Sequence, residues 1–186
     1  MRIKYGKKEL ELYIHIPFCV RKCNYCDFLS FPADEDTQRQ YVKALCKEIF
    51  YYGAHCRDYV VSTVYIGGGT PSWLWESDMA EIMDAVHKNF ALLPDAEVSV
   101  ECNPGTVTAQ KFAVYRQSGI NRISLGLQSA QNVELKMLGR IHTWEQFLKT
   151  YELARSGGFS NINVDLMSSL PGQHIETYAD SLQKVC

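Results

Sequence analysis

The stretch YIHIPFCVRKCNYCDF, residues 13–28, sets Cys19, Cys23 and Cys26 on one short loop directly behind an alternating run. Leu12, Ile14 and Ile16 alternate with Tyr13 and His15, the period of a half-buried strand, so the cysteines follow a strand's carboxyl end. Three thiolates within eight residues suit three corners of a cubane iron-sulfur cluster, and with no fourth cysteine beside them one iron stays open to a ligand. Two other uses of these thiols stand beside that one. A disulfide framework fits a small secreted chain, but the stretch MRIKYGKKELEL is charged and has no apolar core of a signal peptide. A tetrahedral zinc site completed by His15 uses ligands that zinc prefers, although structural zinc sites usually draw their ligands as two separated pairs. For His15 a structural hydrogen bond competes with metal ligation.

Working outward, the 186 residues are 46% hydrophobic, enough for one sizeable core. A net charge of -2 with interspersed signs gives no electrostatic case for nucleic acid or an anionic membrane, and no apolar run is long enough for a transmembrane segment. Seven cysteines without an export signal point to a reducing cytoplasm. Cys46, Cys56, Cys102 and Cys186 stand alone in the sequence and read as small buried hydrophobes.

Short β-branched runs at 12–16, 62–66, 97–101, 121–127 and 161–166 alternate with helical patterns. One helix face carries Tyr41, Leu45, Ile49 and Tyr52; another carries Met79, Ile82, Met83, Val86 and Phe90; Phe112 and Tyr115 mark a short third. Thr143 with Gln146 forms a capping box ahead of Phe147, Leu148 and Tyr151, and Gly119 and Gly157 stand where helices should stop. Five strands separated by helices require a parallel sheet, either doubly wound or barrel-like. In both, functional residues gather at the carboxyl ends of strands. The polar motifs do so: the cysteine loop follows the first strand, Gly67, Gly68, Gly69, Thr70 and Pro71 the second, Glu101 with Asn103 and Pro104 the third, Gln128 the fourth, and Asp165 lies in the fifth. The glycine run is neither a phosphate loop nor a dinucleotide fingerprint, since the Lys-Ser/Thr ending and the GxGxxG spacing are both missing. Taken singly, Glu101 reads as a turn cap, Gln128 as a partner for backbone and Arg140 as a solvated helix residue. Asp165, between Val164 and Leu166, needs a partner for its carboxylate.

Together these residues resemble the radical S-adenosylmethionine superfamily, and within it the oxygen-independent coproporphyrinogen III oxidase family, often called HemN-type. The resemblance rests on YIHIPFC at 13–19, the C-x3-C-x2-C spacing, GGGTP at 67–71, ECNP at 101–104, RISLGLQS at 122–129, LGRIH at 138–142 and NVDLMSSLPGQ at 163–173. It implies an α/β partial barrel with about five parallel strands present. It also implies a 4Fe-4S cluster on Cys19, Cys23 and Cys26, and S-adenosylmethionine against Tyr13, Tyr25, Gly68, Gly69, Thr70 and Glu101. Gln128, Arg140 and Asp165 would meet a second S-adenosylmethionine in the oxidase branch. A reducing electron donor would drive the cluster, and the cofactor would carry the hard chemistry.

Asp27-Phe28 follows Cys26 where the oxidases tend to carry another cysteine two positions on. This form resembles the heme chaperone branch, often called HemW, which implies heme binding and transfer to an acceptor protein; porphyrinogen decarboxylation is the alternative. Family members resemble six-stranded partial barrels with a further C-terminal domain, so residues 1–186 are expected to be an incomplete core domain, truncated before the sixth strand. An open edge there leaves unpaired backbone. The expected behaviour of the isolated chain is poor stability or self-association; a monomeric sample that melts cooperatively would contradict it.

Overall fold

In the computed structural model, which describes residues 3–4 and 6–186, the β-branched runs form one sheet with strands in chain order. A two-residue strand β1 (Ile3–Lys4) pairs antiparallel with β2 (Lys7–Ile16). From β2 onward, β3 (Tyr59–Gly68), β4 (Leu92–Cys102), β5 (Arg122–Gln128) and β6 (Asn161–Leu166) pair in parallel, each with its predecessor. The connections carry α1 (Glu35–His55), α2 (Glu76–Asn89), α3 (Ala109–Gln117), α4 (Asn132–Met137) and α5 (Trp144–Ser156), and α6 (Ile175–Val185) follows β6. Among the described residues strand order never reverses, so they contain no doubly wound switch point. Right-handed crossovers that all advance the same way stack their helices on one side. With β2 and β6 unpaired to each other, the sheet is a partial barrel.

The alternation within each strand decides which face the helices cover. Ile14 and Ile16, Val64 and Ile66, Val98 and Val100, and Ile123 and Leu125 are buried with Val42, Leu45, Met79, Ile82, Met83, Val86 and Phe112 in one core. Each fully buried side chain of this size contributes about 1.5–3 kcal/mol through removal from water. The intervening residues face the open, concave side, where the register lines up polar groups in rows. Tyr13, Tyr65, Ser99, Arg122 and Asn161 form one row, and Glu101, Ser124 and Asn163 the next.

Several expectations shift. β3 and β4 extend beyond the predicted runs; in β4 the added residues 92–96 carry Pro94 and Asp95 and fall where the pairing with β3 changes register. On α1 the buried stripe is Gln38, Val42, Leu45, Ile49 and Gly53, and Tyr52 is exposed. Gly53 is there because a Cβ would meet the Asn89 carbonyl oxygen at 2.6 Å, so the two helices approach more closely than any side chain permits. On α5, Phe147, Thr150 and Ala154 are buried, while Leu148 and Tyr151 point outward. The Thr143–Gln146 capping box is present. Gly119 takes the left-handed conformation after α3 (φ 86), but after α5 that conformation falls on Gly158 rather than Gly157. Of the four solitary cysteines only Cys102 is fully buried; Cys46 and Cys56 are half-buried and Cys186 is exposed. Burial pushes the Cys102 thiol up to about 12. No helix among the described residues is long and apolar enough to cross a membrane.

His142 is 4% exposed and neither ring nitrogen has a hydrogen-bond partner. Burial, reinforced by the Arg140 guanidinium, holds its pKa down to about 3; the nearby Leu127 backbone opposes this only weakly. A ring depressed in the folded state stays neutral while the unfolded chain takes up a proton below about 6.5, so stability is lost as pH falls through that window. Between pH 7 and 4.5 this loss is about 2–3 kcal/mol. Urea unfolding at the two pH values should therefore show a shallower acid decline in His142→Leu than in the parent chain; equal declines would contradict the assignment.

Candidate functional site

The cysteine loop is fixed at both ends by backbone. Cys19 N–H donates to the Phe31 carbonyl (3.1 Å) and Phe31 N–H to that of Pro17 (2.9 Å), closing the loop on itself. Next to it, Gly69 N–H donates to Ile16 (2.8 Å) and Thr70 N–H to Phe18 (2.7 Å), which ties the glycine run at the end of β3 to the strand that delivers the cysteines. The far side rests on the turn after α4: Asn24 donates through its backbone to Leu138 (3.0 Å) and through its side chain to Met137 (2.9 Å), and Arg21 reaches the Gly139 carbonyl (2.7 Å). Gly139 has φ 74, and a Cβ there would lie 3.0 Å from the Asn24 side chain. His15 completes the support, with Nδ1 at 3.0 Å from the Tyr13 hydroxyl and Nε2 at 3.0 Å from the Leu29 carbonyl. Both imidazole nitrogens are thus engaged in structure, which removes His15 as the fourth ligand of a zinc site.

Cys19, Cys23, Tyr25 and Cys26 share one cleft with Gly68, Gly69, Thr70, Glu101, Gln128, Arg140 and Asp165. The cleft encloses ≈ 660 Å³, counting its open mouth. Tyr13 stands outside this lining: it lies on the concave face, stacked on Tyr65 with ring centroids 6.3 Å apart and 61% exposed. Among the described residues no three His, Cys, Asp or Glu side chains converge as ligands of a single metal ion do. All seven thiols are free.

The cleft floor is polar and internally bonded. Glu101 accepts from the Tyr65 hydroxyl (2.7 Å) and from Gly68 N–H (3.0 Å). Burial raises its carboxyl above the ordinary range, with Asp165 adding repulsion and those hydrogen bonds opposing; the same contact and burial push the Tyr65 phenol up. Asp165 accepts from Ser124 (3.2 Å) and Asn163 (2.7 Å), the partners its position demanded. Arg140 belongs to no helix and is half-buried. Its Nη2 donates to the Asn103 side chain (2.7 Å) and to the Gly126 carbonyl, its Nη1 lies 3.8 Å from Cys23 Sγ, and its Nε is buried without a partner. Gln128 has φ 74, a left-handed conformation rare without glycine. Its carbonyl accepts from Met167 N–H (2.9 Å), which fixes the strand end where the β5–β6 register shifts.

The sequence places Asn103 with the strand-end motif of Glu101 but points to no ligand role for it, nor for Arg21, Asn24 or Ser124. Asn103 sits inside the ECNP motif, just past a strand end, and Ser124 inside RISLGLQS, so membership of a motif is a usable signal for both. Arg21 and Asn24 look like ordinary solvated loop residues, and only the tertiary contact with residues 137–139 shows what they do.

Gly69 is the tightest contact between the two loops, because a Cβ there would lie 2.7 Å from the Phe18 carbonyl oxygen and 3.0 Å from Cys19 Sγ. Gly69→Ala should cost about 1–3 kcal/mol through overpacking and expose the buried Cys19. Faster reaction of Cys19 with a thiol reagent, measured by mass spectrometry, checks this; parent-like stability and reactivity would contradict it.

Residues 13–185 match the family model of the Radical SAM superfamily. The chain is 42% identical over 176 residues to the heme chaperone HemW of Escherichia coli, covering 94% of this chain and 47% of that protein. It is 36% identical to the Bacillus subtilis heme chaperone HemW (91% and 45% covered). To the mouse mitochondrial radical S-adenosyl methionine domain-containing protein 1 it is 34% identical (94% and 39% covered). The solved structure of coproporphyrinogen III oxidase (HemN) from Escherichia coli, a radical SAM enzyme, superposes with a TM-score of 0.89 at 31% identity over 97% of this chain and 42% of that one. The chain spans about half the length of the curated relatives it matches. With its cysteine loop, glycine run and sequential parallel strands arranged as described, the chain belongs to the Radical SAM superfamily.

Proposed function

We propose that this chain binds a 4Fe-4S cluster through Cys19, Cys23 and Cys26, with S-adenosylmethionine in the adjoining cleft, and that it serves heme binding and transfer. One observation carries the cofactor reading: three free thiols on a single loop line the same cleft as the glycine run and Glu101. The donor set fits the group. In a cubane each thiolate holds a different iron, so thiols that face a common space without converging on one point suit a cluster better than a single ion. The cluster, when bound, supplies the single electron that reductive cleavage of a sulfonium requires.

The chain's own residues bind and orient. Gly68 and Gly69 bring backbone close to the cofactor where a side chain would intrude. Glu101, aimed by Tyr65 and Gly68, offers an acceptor for a methionyl amine, and a carboxyl already raised by burial gains more from a cation than a solvated one. Arg140, in the same lining, brings a positive charge to an anionic group. Gln128 and Asp165 lie in the same lining and would hold further polar groups of the ligand, whether one S-adenosylmethionine binds or two. Tyr25 closes the loop side.

Heme transfer to an acceptor protein is favoured by the names of the relatives and by Asp27-Phe28 in place of a further cysteine. The working compartment in this reading is a reducing cytoplasm, and the electron donor is a separate protein or small reductant. The second reading, oxidative decarboxylation of coproporphyrinogen III, is supported by the likeness to HemN. Anaerobic reconstitution with iron and sulfide, followed by one-electron reduction with dithionite, should give a reduced 4Fe-4S signal in electron paramagnetic resonance that is lost in Cys23→Ala; zinc retained with no such signal would overturn the cofactor reading. Heme titration of a protein carrying this chain at the length of its relatives separates the other two: stoichiometric uptake without turnover of coproporphyrinogen is expected, and turnover would favour the oxidase.

A further inference from the structure

Two cluster thiols are joined by side chains alone. Thr70 Oγ1 lies 3.4 Å from Cys19 Sγ, Asn103 Nδ2 lies 2.9 Å from Thr70 Oγ1, Arg140 Nη2 lies 2.7 Å from Asn103 Oδ1, and Arg140 Nη1 lies 3.8 Å from Cys23 Sγ. The direction of every bond follows from one fact: a guanidinium only donates. Asn103 must therefore turn its carbonyl oxygen to Arg140 and its amide N–H to Thr70. Receiving that N–H, the Thr70 oxygen acts as acceptor on this side, and its single proton is left to point at Cys19. Thr70 is 3% exposed, so no bulk water competes for that proton. The Gly126 carbonyl holds Arg140 from the other side, and a Cβ on Gly126 would crowd the pair, lying 3.2 Å from Asn103 Oδ1 and 3.3 Å from Arg140 Nη2.

We infer that Asn103 is a positioning residue that aims hydrogen-bond donors at both Cys19 and Cys23 and so raises the reduction potential of the cluster they hold. The inference rests on the proposed cluster binding. Donors on a cysteine sulfur draw electron density from it and favour the reduced, more negative cluster. Successive bonds in a chain strengthen one another, so the amide received by Thr70 makes its hydroxyl the better donor. An isolated threonine would rotate its proton freely; here the relay fixes it.

The test is a potentiometric titration of the anaerobically reconstituted chain followed by electron paramagnetic resonance. Thr70→Val removes the proton at nearly constant volume, and should lower the equilibrium constant for reduction about tenfold, which is about 59 mV for a one-electron couple. Asn103→Asp keeps the contact to Arg140 but presents an acceptor to Thr70, so the hydroxyl swings its proton away from Cys19. In that background, Thr70→Val should produce no further shift. An unchanged potential in Thr70→Val with full cluster loading would overturn the inference, as would an equal shift in both backgrounds. If Asn103→Asp takes up no cluster, Asn103→Ala serves as the background, and Thr70→Val should there produce a smaller shift than in the parent chain; an equal shift would overturn the inference. A parent chain that assembles no cluster at all would overturn the cofactor reading itself, and that result differs from a loaded parent whose potential the variants fail to move.

Discussion

The joint between the ends of β2 and β3 governs everything at the site. Two hydrogen bonds beyond the regular ladder, from Gly69 to Ile16 and from Thr70 to Phe18, bind the glycine run to the strand that becomes the cysteine loop. The first contact tolerates no bulk, since a Gly69 Cβ would lie 2.7 Å from the Phe18 carbonyl oxygen and 3.0 Å from the Cys19 sulfur. With that joint in place, Cys19 and Thr70 are buried neighbours, and the loop's return through Phe31 needs only one short bridge. A loop anchored at both ends and along its back loses little further conformational freedom when a ligand arrives.

Carboxylates on the concave face would be costly without partners, because removing a charge from water must be offset by bonds to the charged form. Glu101 and Asp165 each have two such bonds. Their mutual repulsion remains, and with burial it keeps Glu101 raised. The face is therefore satisfied enough to persist and charged enough to attract a cation. Arg140 supplies the opposite charge beside the thiols, giving the cleft both signs within one wall.

Legibility followed physics. The strands that carry the site were visible because each is a short β-branched run, and β6 falls on the residues its pattern marked. Boundaries failed where turn-forming residues such as Pro94 and Asp95 lie inside a strand, since local preference there yields to pairing with a neighbour. Leu148 and Tyr151 looked apolar enough for the core, but Thr150 and Ala154 take the buried stripe on α5 because the helix is rotated by its contacts. Among site residues, cysteines, glycines and strand-end carboxylates announce themselves by type and place. Arg140 did not: by residue type it reads as a solvated helix residue, and only the family resemblance marks it for the site, where the fold brings Asn103, Gly126 and Cys23 around it. The family resemblance implies Tyr13 in the cofactor pocket; in the fold its hydroxyl goes to His15 and its ring to Tyr65.

The alternation along the carboxyl halves of β2 to β4 and along β5 up to Leu125 has a consequence for how such a sequence can change over time. Apolar residues at one parity meet helices, and polar residues at the other meet the cleft, so neighbours in the chain answer to separate demands. A lineage can exchange one isoleucine for a valine on the helix side without touching recognition, or alter a serine on the cleft side without opening a void in the core. Ligand preference and folding are thereby free to drift at different rates on one backbone, with the glycine joint between β2 and β3 as the place where both demands fall on the same atoms.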